Sequence, residues 1–157
     1  MNEWLDEEIA ELDQAKQDKA AEKKTLKLRQ QQTQVLWKNL KHVLRDAVQQ
    51  INATPKLRKL TGGLSFGRDD GNKIKLKKSA SPAIILSMTC ESTSLSLHYV
   101  LLTNIKAKSG QPSLDTLYVS LDEHGQPFFQ YLREDKTFNV EQAARHILRP
   151  FLHPELL

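Results

Sequence analysis

Nucleophilic catalysis needs a Ser or Cys beside a His that a carboxylate orients. The chain offers a single cysteine, Cys90, together with five histidines and 19 acids. It has no run of glycines that would hold a nucleophile on a strained strand-to-helix turn. Cys90 falls on the inward face of a predicted strand, where a small apolar residue is wanted, so it reads as structural. Metal binding needs donors at fixed spacing, such as HxxxH or CxxC. His42, His98, His124, His146 and His153 are scattered without that spacing and read as surface residues. "GGLSFG", residues 62–67, precedes a strand rather than a helix. It gives flexible entry to the strand and not a phosphate cradle. Asp69-Asp70-Gly71-Asn72 lacks the alternating ligands and closing Glu of a calcium loop, and reads as a turn. No catalytic residue, metal or cofactor is expected.

Three surfaces could bind something. In "KIKLKK", residues 73–78, strand alternation puts Lys73, Lys75 and Lys77 on one face, downstream of Lys56, Arg58 and Lys59. A lysine row contacts phosphates without reading sequence; it also guards an edge strand against pairing with other chains. Only Phe66 lies near enough in sequence to stack a base, so edge protection or solvation is the favoured reading. The second surface is hydroxyl-rich: Ser87, Thr89, Ser94, Ser96, His98, Thr116, Tyr118 and Ser120 share one face of the predicted sheet. Ser96, His98 and Tyr118 are its candidate ligand contacts. Antiparallel sheets nevertheless leave such faces in water as a rule. The third is apolar: Trp4, Leu5, Ile9 and Leu12 form an isolated stripe at the N-terminus.

The elements that carry these surfaces follow from periodicity. From Asn2 to about Asn52 there is no Gly or Pro, and the strong helix formers Ala, Leu, Lys, Gln and Glu dominate. Spacing by fours and threes runs through Leu5, Ile9 and Leu12, then Lys16, Lys19 and Lys23. It touches Leu26 and ends on Trp37, Leu40, Leu44, Ala47 and Ile51. The register holds while its centre is polar, unlike a dry coiled coil. Val35, Leu36, Leu40, Val43, Leu44, Ala47, Val48 and Ile51 make a wide apolar face of the kind that packs on a sheet. Thr54, before Pro55, is biased out of helical dihedrals and should end the helix.

From Leu60 the period changes to alternation. Short connections, including "ESTS" at 91–94 and "DEHG" at 122–125, favour an antiparallel meander of five or six strands. A loop is expected over "KAKSGQPS", residues 106–113. Asn139 with Gln142 three residues on forms a capping box. It opens a second helix with Ala143, Ala144, Ile147, Leu148 and Phe151 on its apolar face, weakened by Pro150 and Pro154. The expected fold is α+β: a long N-terminal helix, the meander sheet and a C-terminal helix, with both helices on one face. Residues 1–33 would protrude as a polar assembly element, and residues 34–157 would form the compact domain.

Composition bounds the function. The 157 residues are 39% hydrophobic and 27% charged, ordinary for a globular chain. One cysteine permits no internal disulfide, and the acidic start is unlike a signal peptide, so a cytoplasmic location is expected. No stretch approaches the roughly 18 apolar residues of a spanning helix. The net charge of +4 is segregated. Residues 1–13 carry six acids and no Lys or Arg; residues 14–78 carry 17 bases against 5 acids. The leading expectation is a non-enzymatic assembly protein whose projecting helix forms a homodimer or binds a protein partner. One alternative is weak, non-sequence-specific nucleic-acid binding by the basic 14–78 segment. The other is a small-ligand or enzymatic domain using the polar sheet face.

Overall fold

The computed structural model describes residues 2–102 and 113–157. Helix α1 runs unbroken from Glu3 to Ala53, 51 residues, or roughly 77 Å at 1.5 Å per residue. It stops where Thr54 turns extended ahead of Pro55, as the steric conflict at a pre-proline residue requires. A short helix that the sequence pattern does not announce follows, α2 (Pro55–Thr61), with Pro at its first position. It closes on Gly62 in the left-handed region, φ 68°. A Cβ there would also lie 2.9 Å from that of Ala80, so only glycine fits.

The chain then forms one antiparallel sheet in sequence order. Its strands are β1 (Leu64–Phe66), β2 (Lys73–Lys78), β3 (Ala83–Cys90), β4 (Ser94–Leu102), β5 (Ser113–Leu121), β6 (Pro127–Tyr131) and β7 (Lys136–Phe138). There are seven strands rather than five or six. The extra one is β7, three residues long and too short to show a period. It exists because a tight turn with Asp135 at φ 50° brings Lys136–Phe138 back against β6. The expected "KAKSGQPS" loop lies outside the described residues as far as 112, and Ser113 already belongs to β5. Helix α3 (Val140–Leu152) opens with both hydrogen bonds of the Asn139–Gln142 capping box and continues through Pro150.

Alternation sorts the sheet into two faces. Ile74, Leu76, Ile84, Leu86, Met88, Leu95, Leu97, Leu117, Val119 and Phe129 point inward and are buried. They meet Leu36, Leu40, Leu44, Val48 and Ile51 of α1 and Ala143, Ile147 and Phe151 of α3 in one core. Three polar contacts fix the helix on the sheet. The Trp37 indole N–H donates to the Gly71 carbonyl at 2.6 Å, and Lys41 and Arg45 hold the Asp69 carboxylate at 3.2 and 2.7 Å. At the other end of the helix face, the Asn52 amide both donates to the Leu64 carbonyl and accepts from its N–H, each at 2.8 Å. A side chain thus completes the backbone pairing of the edge strand β1, which would otherwise present unmet groups.

Among the described residues no helix is long and apolar enough to cross a membrane. Leu44 is fully buried, so Leu44→Ala should cost about 2–5 kcal/mol of unfolding free energy. Asn52→Ala should cost roughly 1–3 kcal/mol, because it strands both groups of Leu64. Urea denaturation of both variants beside wild type checks the two values.

Candidate functional site

Every described residue from Asn2 to Leu28 is exposed, and the first buried side chain of α1 is Thr33. Its hydroxyl is satisfied by the Arg29 carbonyl at 2.7 Å, the usual way a helix tolerates a buried threonine. Trp4, Leu5, Ile9 and Leu12 are exposed to 59, 38, 54 and 63%, and Leu26 to 45%. Helical geometry places Leu5, Ile9, Leu12 and Leu26 along one side. The apolar positions thus share one side of the exposed helix, with Lys16, Lys19 and Lys23 between Leu12 and Leu26.

Lys73, Lys75 and Lys77 all project from the outer sheet face and are exposed. Edge protection does not explain them. β2 is the second strand, covered by β1 and by the turn beyond it, where Gly67 and Asp70 N–H groups bond Lys75 and Lys73 carbonyls. Alternation also sends Lys78 inward, where burial pushes its ammonium below the usual lysine range. The turn at Asp69 is as expected: its carboxylate accepts from the Gly71 N–H at 2.8 Å. That bond, more than the nearby Lys41 and Arg45, holds the carboxyl below the usual carboxylate range.

Ser96, His98 and Tyr118 do share the outer face. Ser96 sits opposite Thr116, His98 opposite Ser87 and Leu114, and Tyr118 opposite Ser94 and Gln130. The Ser96 hydroxyl donates to Glu91 at 2.8 Å, and Leu114 stands 64% exposed among them. These residues are spread across the strands and do not converge on one point. Cys90 is buried, and desolvation raises its thiol pKa, so the protonated, unreactive form prevails.

The cluster that the sequence does not reveal lies at the β5–β6–β7 end of the core, under α3. Asp115 occupies an inward position of β5, opposite Leu97, where the pattern calls for an apolar residue. His146 of α3 meets it, Nε2 to Oδ2, at 3.0 Å, with side-chain exposures of 23 and 14%. The surface reading of His146 is thus corrected: α3 turns it toward the sheet. Its ring lies between Tyr131, at 4.5 Å between centroids, and Phe138, at 5.2 Å. Nearby, the Tyr99 hydroxyl donates to the Ile147 carbonyl at 2.7 Å. Burial raises the Tyr99 pKa, so that donor persists across the working pH range. Burial alone would raise the Asp115 carboxyl. Hydrogen bonds to His146 and to the Thr116 N–H outweigh it and hold the group below the usual carboxylate range.

Two clefts flank the imidazole, of about 430 and 190 Å³, and His146 and Arg149 line both. A histidine oriented by a part-buried carboxylate and walled by aromatic rings is the arrangement used to position a proton donor or acceptor. Among the described residues no group of three or more His, Cys, Asp or Glu is placed to hold a metal. No protein-family model, no curated protein and no solved structure matches this chain.

The depressed Asp115 carboxyl stabilises the fold fully above the unfolded carboxylate pKa, about 3.9. That stability is lost as pH falls through the lower folded value. Asp115→Asn should therefore flatten the acid side of the stability–pH curve, measured by urea denaturation from about pH 2 to 6. An unchanged acid slope would mean the Asp115–His146 contact does not contribute to folding.

Proposed function

We propose that this protein is an assembly protein whose N-terminal arm pairs with the arm of a second copy. One observation carries the reading: residues 2–28 are all exposed, yet keep Leu5, Ile9, Leu12 and Leu26 on one side of the helix. This stretch buries no side chain within the fold, and packing is what holds most helices in water. An apolar stripe of this kind marks an interaction surface.

Charge favours a second copy running antiparallel. The acidic head, residues 1–13, is followed by Lys16, Lys19, Lys23, Lys24, Lys27 and Arg29, with only Asp18 and Glu22 between them. Setting Ile9 beside Leu26 of the second copy keeps both in the heptad seam. The same register brings Glu8 level with Lys27, Glu11 with Lys24 and Asp6 with Arg29. At the centre Lys16 falls level with Lys19 of the second copy, so the seam there is wet and carries like charges that the flanking acid–base pairs must outweigh. Parallel pairing would instead stack acid on acid and base on base, each contact unfavourable.

Light-scattering mass at matched concentration tests this directly. Wild type should have twice the mass of Leu5→Asp/Ile9→Asp/Leu12→Asp, which should be a monomer of 18.0 kDa. High salt should shift wild type toward monomer. Two monomers at every concentration would refute pairing through the stripe.

A second reading, weak nucleic-acid binding, has one specific support. Lys73, Lys75 and Lys77 have no ion-pair partner among the described residues. Binding through them should fall along a steep log–log line with salt and vanish when all three become Glu. Selective binding to one base sequence would contradict it.

A further inference from the structure

The geometry points to a binding site for a small phosphate monoester with a planar ring, in the larger cleft between β7 and α3. This site is separate from the projecting arm and does not depend on its pairing.

The cleft, about 430 Å³, is lined by Lys136 and Phe138 from β7 and by Arg145, His146 and Arg149 from α3. Its volume falls within the roughly 300–1,000 Å³ of small-molecule sites. Arg145 and Arg149 are four residues apart, so they stand one above the other on the same helix face. Neither guanidinium has a hydrogen bond or ion pair from its side chain among the described residues. The only acid among the described lining residues is Glu134, paired to Lys136 at 3.2 Å.

The charge count selects the ligand. Lys136, Arg145 and Arg149 bring three positive charges and Glu134 one negative, leaving two positive charges with the imidazole set aside. A phosphate monoester carries about −1.5 to −2 at neutral pH. A monocarboxylate would leave the cleft unbalanced. Guanidinium groups also match phosphate oxygens through parallel N–H donors. A pair of them on one helix face can grip two oxygens at once.

The ring requirement comes from the floor of the cleft. Phe138 is only half-buried; it lies tilted against His146 at 5.2 Å and stacks with Tyr131 at 5.9 Å. Because Phe138 lines the cleft, its exposed part is an apolar contact for a flat group. Asp115 holds Nε2 of His146, so the imidazole is pinned and Nδ1 is the ring nitrogen left for a ligand. The orientation is set before anything binds, and preorganisation of this kind lowers the ordering cost of association.

Calorimetric titration of the full chain with phenyl phosphate, inorganic phosphate and phenol tests the assignment. Phenyl phosphate should bind at millimolar concentration or tighter, inorganic phosphate more weakly, and phenol not measurably. Arg145→Gln/Arg149→Gln should weaken phenyl phosphate by at least roughly tenfold, the loss of two charge-assisted contacts. Both substitutions lie on an exposed helix face, and an unchanged thermal transition would show that the fold survives them. Phe138→Leu should weaken phenyl phosphate and leave inorganic phosphate unchanged. Arg58→Gln, on α2 and outside the cleft, should alter neither. Equal binding by phenol would overturn the phosphate assignment. Full affinity in the double arginine variant, or no saturable binding of phenyl phosphate, would overturn the site.

Discussion

One sheet with one apolar face must find a cover, and the C-terminal half of α1 supplies most of it. Leu40 and Leu44 are entirely buried, and Leu36, Trp37, Val48 and Ile51 nearly so. At about 25 cal/mol per Å² of apolar surface removed from water, a row of large side chains is the dominant stabilising term. The polar contacts act differently. Trp37, Lys41 and Arg45 grip the 69–71 turn at one end, and Asn52 grips β1 at the other. These bonds add little net energy individually. They fix the position of the helix along the strands, which apolar contact leaves loose.

The arm inherits its direction from that packing. Its helix is continuous with the packed half, so the exposed residues cannot swing independently of the domain without breaking the hydrogen-bond ladder. A stiff rod anchored over the sheet presents Leu5, Ile9, Leu12 and Leu26 at a set distance from the body. Pairing two such rods would hold two domains apart with a defined separation. An apolar stripe on a flexible tail would offer affinity without that geometry.

The β5–β6–β7 end of the sheet breaks the pattern. Asp115 stands at an inward position that the alternation assigns to an apolar residue, and α3 brings His146 and Arg149 beside it while its Ala143, Ile147 and Phe151 stay in the core. A part-buried carboxylate at such a position must be met by hydrogen bonds. Here His146 and the Thr116 N–H meet it. A polar, aromatic-walled corner beside an otherwise continuous apolar core is where local rules yield to a site.

Residue pattern alone determined the long helix, the meander, the capped C-terminal helix and the apolar inward residues of β2, β3 and β4. These follow from local spacing, because periods of 3.6 and 2 sort side chains by face whatever the partner. The exposed arm was legible for the same reason: its stripe stands apart from the rest of the apolar pattern. Tertiary structure decided what spacing cannot encode. β7 exists only through its pairing with β6. Lys73, Lys75 and Lys77 lie on a second strand rather than an edge, which depends on the short β1 lying alongside. The Asp115–His146 pair joins residues 31 positions apart. Each looks ordinary in sequence, an acid in a strand and a histidine in a helix. Only the packing of α3 across β5 and β6 brings them within 3.0 Å, because contact between distant residues is fixed by how layers meet and not by any local period.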